Sequence, residues 1–173
     1  MHELSREDVI AALTALGARL QAQGVHAQIF IVGGAAMALA YSDRRVTKDI
    51  DAVFEPKAVV YDAAAQVAAE LGLPDGWLND AAKGFMPGAD LAARPLPGIP
   101  GLEVHVGSPR YLLAMKLLAM RFGEDEDDIE VLLEAAGITS AREAAALLQQ
   151  AYPYRELPPK TWFFLQQYFG GED

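Results

Sequence analysis

The chain has 173 residues, 52% of them apolar, a formal net charge of −10 and no cysteine, which excludes disulfides and thiolate metal sites. No apolar run approaches the roughly 20 residues of a membrane span, and the acidic start MHELSREDV lacks a signal-peptide core. A cytoplasmic protein of one domain, with no membrane partner, is expected.

Residues 5–22 open with Ser5 as a cap and acids in the first turn. Val9, Ile10, Leu13, Leu16 and Leu20 then recur at helical spacing up to Gly24. AQIFIVGG reads as a buried strand running into a turn, and AAMALAYS after it as a helix. Residues 48–54, KDIDAVF, alternate as a second strand, and the Ala-rich stretch 57–71 is helical up to Gly72. From Leu73 to Gly101 glycine and proline are dense, and a short helix is expected around Trp77–Lys83. LEVHV, 102–106, is a third strand, and Ser108 with Pro109 starts a helix at SPRYLLAMKLLAMR. Further helices are expected at 126–136, 140–151 and 158–169. The order gives an α/β (α+β) fold, a small sheet with a helical C-terminal half. A core over 1–121 and a helical extension over 122–173, packed together as one structural unit, are the expected divisions.

The charge is uneven. Residues 122–173 hold 11 acids against three bases, whereas residues 1–121 are nearly balanced. A long basic face for nucleic acid is therefore disfavoured. A local basic cleft, or a cationic partner, stays open.

Chemistry concentrates in "VGGAAMALAYSDRRVTKDIDAVF", residues 32–54. On a strand, Asp49 and Asp51 project to one side about 6–7 Å apart at Cα, with Ile50 opposite. Two adjacent carboxylates repel, and a hard divalent cation relieves that repulsion. Gly33 and Gly34, at a strand-to-helix junction, leave the backbone bare for an anion at a helix N-terminus. Either feature alone is common: a Gly-Gly is mostly a turn, and a lone Asp-x-Asp mostly a solvated strand edge. The order strand, Gly-Gly, helix, strand, Asp-x-Asp is far rarer.

That order resembles the nucleotidyltransferase superfamily of the polymerase-beta type. The run is most similar to the branch containing the AbiEii-type abortive-infection toxins, which favours Gly-Gly and often places Arg-x-Thr, here Arg45-Val46-Thr47, before Asp-Ile-Asp. "GWLNDAAKGFMP" and "SPRYLLAMKLLAMRFGEDEDDIEVLL" resemble an uncharacterised subfamily of that branch. The resemblance covers about residues 27–138. It implies a small mixed sheet flanked by helices. It also implies transfer of a nucleoside monophosphate from a nucleoside triphosphate to an acceptor, with two Mg2+ ions held by Asp49 and Asp51. Gly33 and Gly34 would contact the phosphates, with Arg45, Thr47 and Lys48 beside them.

Relatives often carry a third carboxylate on a later strand. Here Glu103 and His105 share a face of LEVHV, and either could serve as the base; His105 could equally be a solvated strand residue. Lys116 has apolar neighbours at i±3 and i±4. It reads as a snorkelling lysine or, by the resemblance, as a charge on the triphosphate, with Arg121 beside it. In EDEDDIEVLL, Asp127 and Asp128 match an acidic pattern that faces the site in relatives, and acids at a helix start also complement its dipole. Trp77, Asn79 and Asp80 lie in the punctuated loop next to the presumed cleft, where Trp77 could stack on a base or anchor the loop. The acceptors implied are RNA, especially a tRNA 3′ end in a toxin–antitoxin setting, a protein hydroxyl on a cognate toxin or antitoxin partner, or a cationic antibiotic. A non-catalytic nucleotide- or protein-binding member is the alternative class, and a helical interaction protein with a fortuitous motif is the third.

Overall fold

The computed structural model describes residues 2–171. It contains two compact units: Met1–Gly84 with Ala92–Gly107, and Phe85–Leu91 with Ser108–Asp173. The division falls at Gly107/Ser108 and not at the expected 121/122, because the helix after Ser108 packs on the helices that follow it.

The first unit opens with α1 (Arg6–Ala22), closed by a full capping box in which Ser5 and Asp8 satisfy each other's backbone N–H. Then come β1 (Ala27–Val32), α2 (Gly33–Ala40), β2 (Ile50–Glu55), α3 (Lys57–Leu71), β3 (Leu78–Asn79), β4 (Arg94–Leu96) and β5 (Leu102–Val106). The mixed sheet runs β3-β2-β1-β5-β4. β1 at its centre is antiparallel to β2 and parallel to β5; β3 is parallel to β2, and β4 antiparallel to β5.

The register divides the sheet into two faces. Ile29 and Ile31 align with Phe54 and Ala52 on one side and with Val104 and Val106 on the other, and all six are buried. The opposite face carries Gln28 and Phe30 of β1, Asp51 and Val53 of β2, and Glu103 and His105 of β5. The apolar face drives folding, at about 25 cal/mol per Å2 removed from water. The polar face is available for chemistry. α1 and α3 pack on each other and reach β5 and β2. α1 approaches the 100–101 turn so closely that a Cβ on Gly17 would overlap the Pro100 carbonyl oxygen.

The punctuated stretch is more ordered than its sequence suggests. The short helix expected around 77–83 is a 3-10 helix shifted to Ala81–Phe85, with the two-residue β3 before it and the three-residue β4 after it. Trp77 explains β3. Its ring is 2% exposed, its indole N–H donates to the Ala64 carbonyl at 2.9 Å, and its own carbonyl accepts from the Ile50 amide at 2.6 Å. Of the two roles open to Trp77, the loop anchor is the one observed. β4 contains Pro95, tolerable because β4 is an edge strand.

The second unit contains α4 (Pro109–Leu118), α5 (Glu126–Ala135), α6 (Ala141–Ala151) and α7 (Pro159–Tyr168), with Ser108 and Ser140 capping α4 and α6. α4 packs on α5 and α6, and α6 on α7. Segment 85–91 is tied to this unit by three anchors. The Tyr111 and Tyr152 hydroxyls donate to the Gly88 and Phe85 carbonyls, and the Asp90 carboxylate accepts from the Ser108 amide and hydroxyl at 2.7 and 2.9 Å. Burial pushes both tyrosines up to about 12. Among the described residues no helix is long and apolar enough to cross a membrane.

Candidate active site

β1 ends at the sheet centre, and the chain turns through Gly33 into α2. Gly33 has φ +66°, a conformation L side chains rarely adopt, and a Cβ on it would stand 3.0 Å from Oδ2 of Asp51. Asp51 is the register partner of Val32, so its carboxylate lies against the bare turn. Gly34 is crowded from a second direction. A Cβ there would meet Oγ1 of Thr47 at 2.7 Å and a guanidinium nitrogen of Arg45 at 3.3 Å. No side chain caps α2, so its N-terminal end faces this turn with backbone groups alone.

The 45–49 loop is held from both ends. The Thr47 hydroxyl donates to the Asp49 carbonyl at 2.9 Å, and the Thr47 backbone bridges to Leu4 through hydrogen bonds of 2.7 and 3.0 Å. Arg45 donates to the Val46 carbonyl. Lys48 is exposed. Sequence reasoning missed the part played by Leu4, since a lone isolated bridge leaves no periodic signal.

Asp49 lies in the bend before β2; the strand starts at Ile50, two residues later than expected. The two acids nonetheless converge. Asn79, register partner of Asp51 on β3, donates from Nδ2 to Oδ2 of Asp49 at 3.3 Å. Asn79 thus bonds the Asp49 carboxylate and stands level with Asp51 in the β2–β3 pairing.

Glu103 and His105 share this face but not this end of it. His105 is level with Phe30 and Glu103 with Gln28, whereas Asp51 is level with Val32. By strand spacing and rise, the His105 Cα is about 12 Å from that of Asp51, and the Glu103 Cα about 16 Å. Glu103 lies 3.8 Å from His105 and 3.9 Å from His26 across its two oxygens.

In the second unit, Lys116 is 14% exposed and contacts two buried carboxylates, Asp125 at 2.7 Å and Asp128 at 3.0 Å. Arg121 adds its amide and guanidinium to Asp125 and reaches Glu124 at 2.8 Å. Burial alone would raise the Asp125 carboxyl; hydrogen bonds from Arg121 and Lys116 outweigh it and hold the group below the usual carboxylate range. The same Asp125 bond raises the Arg121 guanidinium. Asp127 is exposed. Asp125 escaped the sequence reading because a run of five acids does not reveal which of them is buried.

Asp49 and Asp51 suit a hard cation, being oxygen donors beside a backbone cradle that a Cβ would fill. Among the described residues no cluster of three or more His, Cys, Asp or Glu is placed to hold a metal. A cation here would draw its remaining ligands from water and substrate oxygens.

A family model described as nucleotidyltransferase of unknown function (DUF6036) matches residues 9–133. Among solved structures, an antigenic nucleotidyltransferase-like protein from Paracoccidioides brasiliensis is similar in fold, with a TM-score of 0.51 and 18% identity over 95% of each chain. No curated protein matches.

Proposed function

The chain belongs to that nucleotidyltransferase family, and from that premise we propose that it moves a nucleoside monophosphate from a nucleoside triphosphate to an acceptor hydroxyl in a Mg2+-dependent reaction. The observation that carries the reading is the Asp51 carboxylate lying against the positive-φ turn at Gly33, with Asp49 drawn to the same side. Asp49 and Asp51 would hold the cation, whose charge would offset that of the phosphates. Gly33 and Gly34 admit the phosphates to the start of α2. Arg45 and Lys48 supply positive charge beside them, and Thr47 fixes the backbone of Asp49. The acceptor oxygen forms a bond to the α-phosphorus as the bond to pyrophosphate breaks, and the acceptor proton passes to a base or to water. Of the two candidate bases His105 is the nearer, and its distance calls for an intervening water or the acceptor itself as relay. The residues named for this reading belong to the first unit. In the second unit Lys116 is engaged by Asp125 and Asp128, and Arg121 by Asp125. The resemblance assigns Lys116, Arg121, Asp127 and Asp128 to the triphosphate, and nucleotide affinity of their variants tests that assignment.

The acceptor proposed first is RNA, a tRNA 3′ end in a toxin–antitoxin or abortive-infection setting, as in the branch the motif resembles. A non-catalytic nucleotide-binding role is the second reading, favoured by one observation: among the described residues no third carboxylate joins the pair.

The test is transfer of label from each α-32P nucleoside triphosphate, with Mg2+, to total RNA and to cell protein in parallel. Label on RNA that disappears with Asp51→Ala supports the first reading, and label on protein moves the acceptor to a partner hydroxyl. No label in either pool, with nucleotide binding intact, supports the second. Asp51→Ala is expected to keep the thermal midpoint of the wild type, since it relieves the repulsion between two neighbouring acids.

A further inference from the structure

We infer that Asn79 is a positioning residue for the carboxylate pair, fixing Asp49 in the orientation that serves a divalent cation; the inference rests on reading Asp49 and Asp51 as the cation's ligands. Its amide orientation is dictated by the backbone around it. Oδ1 accepts from the Ala81 N–H at 3.1 Å, and Nδ2 donates to the Gly76 carbonyl at 3.2 Å and to Oδ2 of Asp49 at 3.3 Å. Reversing the amide would set Nδ2 against the Ala81 N–H and Oδ1 against two oxygens, so the Asn79 N–H stays toward Asp49. Only an amide supplies an acceptor and two donors in this arrangement. Aspartate would lack the donors and add a third negative charge.

The support beneath Asn79 is itself fixed. Trp77, two residues before it, is buried and bonded to the Ala64 carbonyl. Asp80, immediately after it, is held by Lys57 at 2.6 Å and by the Tyr61 hydroxyl at 2.7 Å. Ala64, Lys57 and Tyr61 all belong to α3. Segment 77–80 is thus clamped to α3 on both sides of Asn79, and the β2–β3 register sets Asn79 beside Asp51. A side chain with every polar atom engaged, on a doubly clamped backbone, bonded to one acid and adjacent to the other, is the arrangement expected of an outer partner of metal ligands.

The experiment is a Mn2+ titration of the full chain by electron paramagnetic resonance, on wild type, Asn79→Leu, Asp49→Asn and the double variant. Outer partners of metal ligands are worth about 10–100-fold in affinity. Asn79→Leu is expected to weaken Mn2+ binding by about that factor in the wild-type background and to have no further effect once Asp49 is Asn. An equal loss in both backgrounds, or no loss in either, overturns the inference. A wild type that binds no Mn2+ overturns the metal reading itself, which separates the two failures. Should Asn79→Leu unfold, Mg2+ titration of the wild type followed at the Asn79 side-chain NH2 resonances takes its place. A saturable shift with the Mn2+ affinity is expected, and unmoved resonances overturn the inference.

Discussion

Gly33 shows how much one residue position can carry. Its φ of +66° costs a non-glycine residue about 1–2 kcal/mol, and a Cβ would press on the Asp51 carboxylate. Gly33→Ala is therefore expected to lower urea stability by about that amount and, separately, to abolish Mn2+ binding by displacing Asp51. A variant that loses stability but binds Mn2+ like the wild type would show that Asp51 has room to move and that the turn is only a turn. The glycine pair and Asp-Ile-Asp were legible from sequence because each signals by residue type. Asn79 was legible only as a polar residue of the loop next to the cleft; its bond to Asp49 emerges only once β3 sets it beside Asp51.

At the scale of elements, α4 and α5 are joined by charge as well as by apolar packing. Lys116 on α4 lies between Asp125 and Asp128, and removing one partner of a buried ion pair leaves an uncompensated charge at a cost of about 3–5 kcal/mol. Lys116→Met is expected to destabilise the chain by that order in urea unfolding. It is expected to leave Mn2+ affinity unchanged, since Lys116 is not among the proposed cation ligands. A stable Lys116→Met protein that had lost nucleotide binding would restore Lys116 to the triphosphate. The helices themselves were readable in advance. α1 has its Ser5 cap with acids in the first turn and α4 its Ser-Pro start, both local signals; the Asp8 half of the capping box and the Ser140 cap of α6 were not singled out. β3 and β4 were not readable, because strands of two and three residues are too short to alternate and exist only through pairing with β2 and β5.

For the whole molecule, the depressed carboxylates set the acid limit. Asp8 is lowered by the backbone and hydroxyl of Ser5, Asp80 by Lys57 and Tyr61, and Asp125 by Arg121 and Lys116 against the opposing effect of burial. Each is lowered in the folded state. Its contribution is therefore complete above the unfolded carboxylate value of about 3.9 and is lost as pH falls through the folded value. Urea midpoints are expected to hold between pH 7 and 5, where these groups stay charged, and to fall below about pH 4. Asp125→Asn should flatten part of that fall, and a profile unchanged by the substitution would remove Asp125 from the account. The excess acidity of residues 122–173 is partly internal. Two of its acids are buried against Lys116 and do not face solvent.

The sequence by itself determined the fold class, the helices including the Ser5 and Ser108 starts, the central strands and the Gly-Gly/Asp-x-Asp pattern. All of these follow from near-neighbour rules: periodicity, capping and the steric freedom of glycine. Only the tertiary structure decided which acid is buried beside Lys116, where the domain boundary falls, how far Glu103 and His105 stand from Asp51, and that Asn79 touches Asp49. The first two depend on how helices pack on one another. The others depend on β-pairing between distant segments, where a shift of one residue would turn Asp51, Asn79, Glu103 or His105 to the other face.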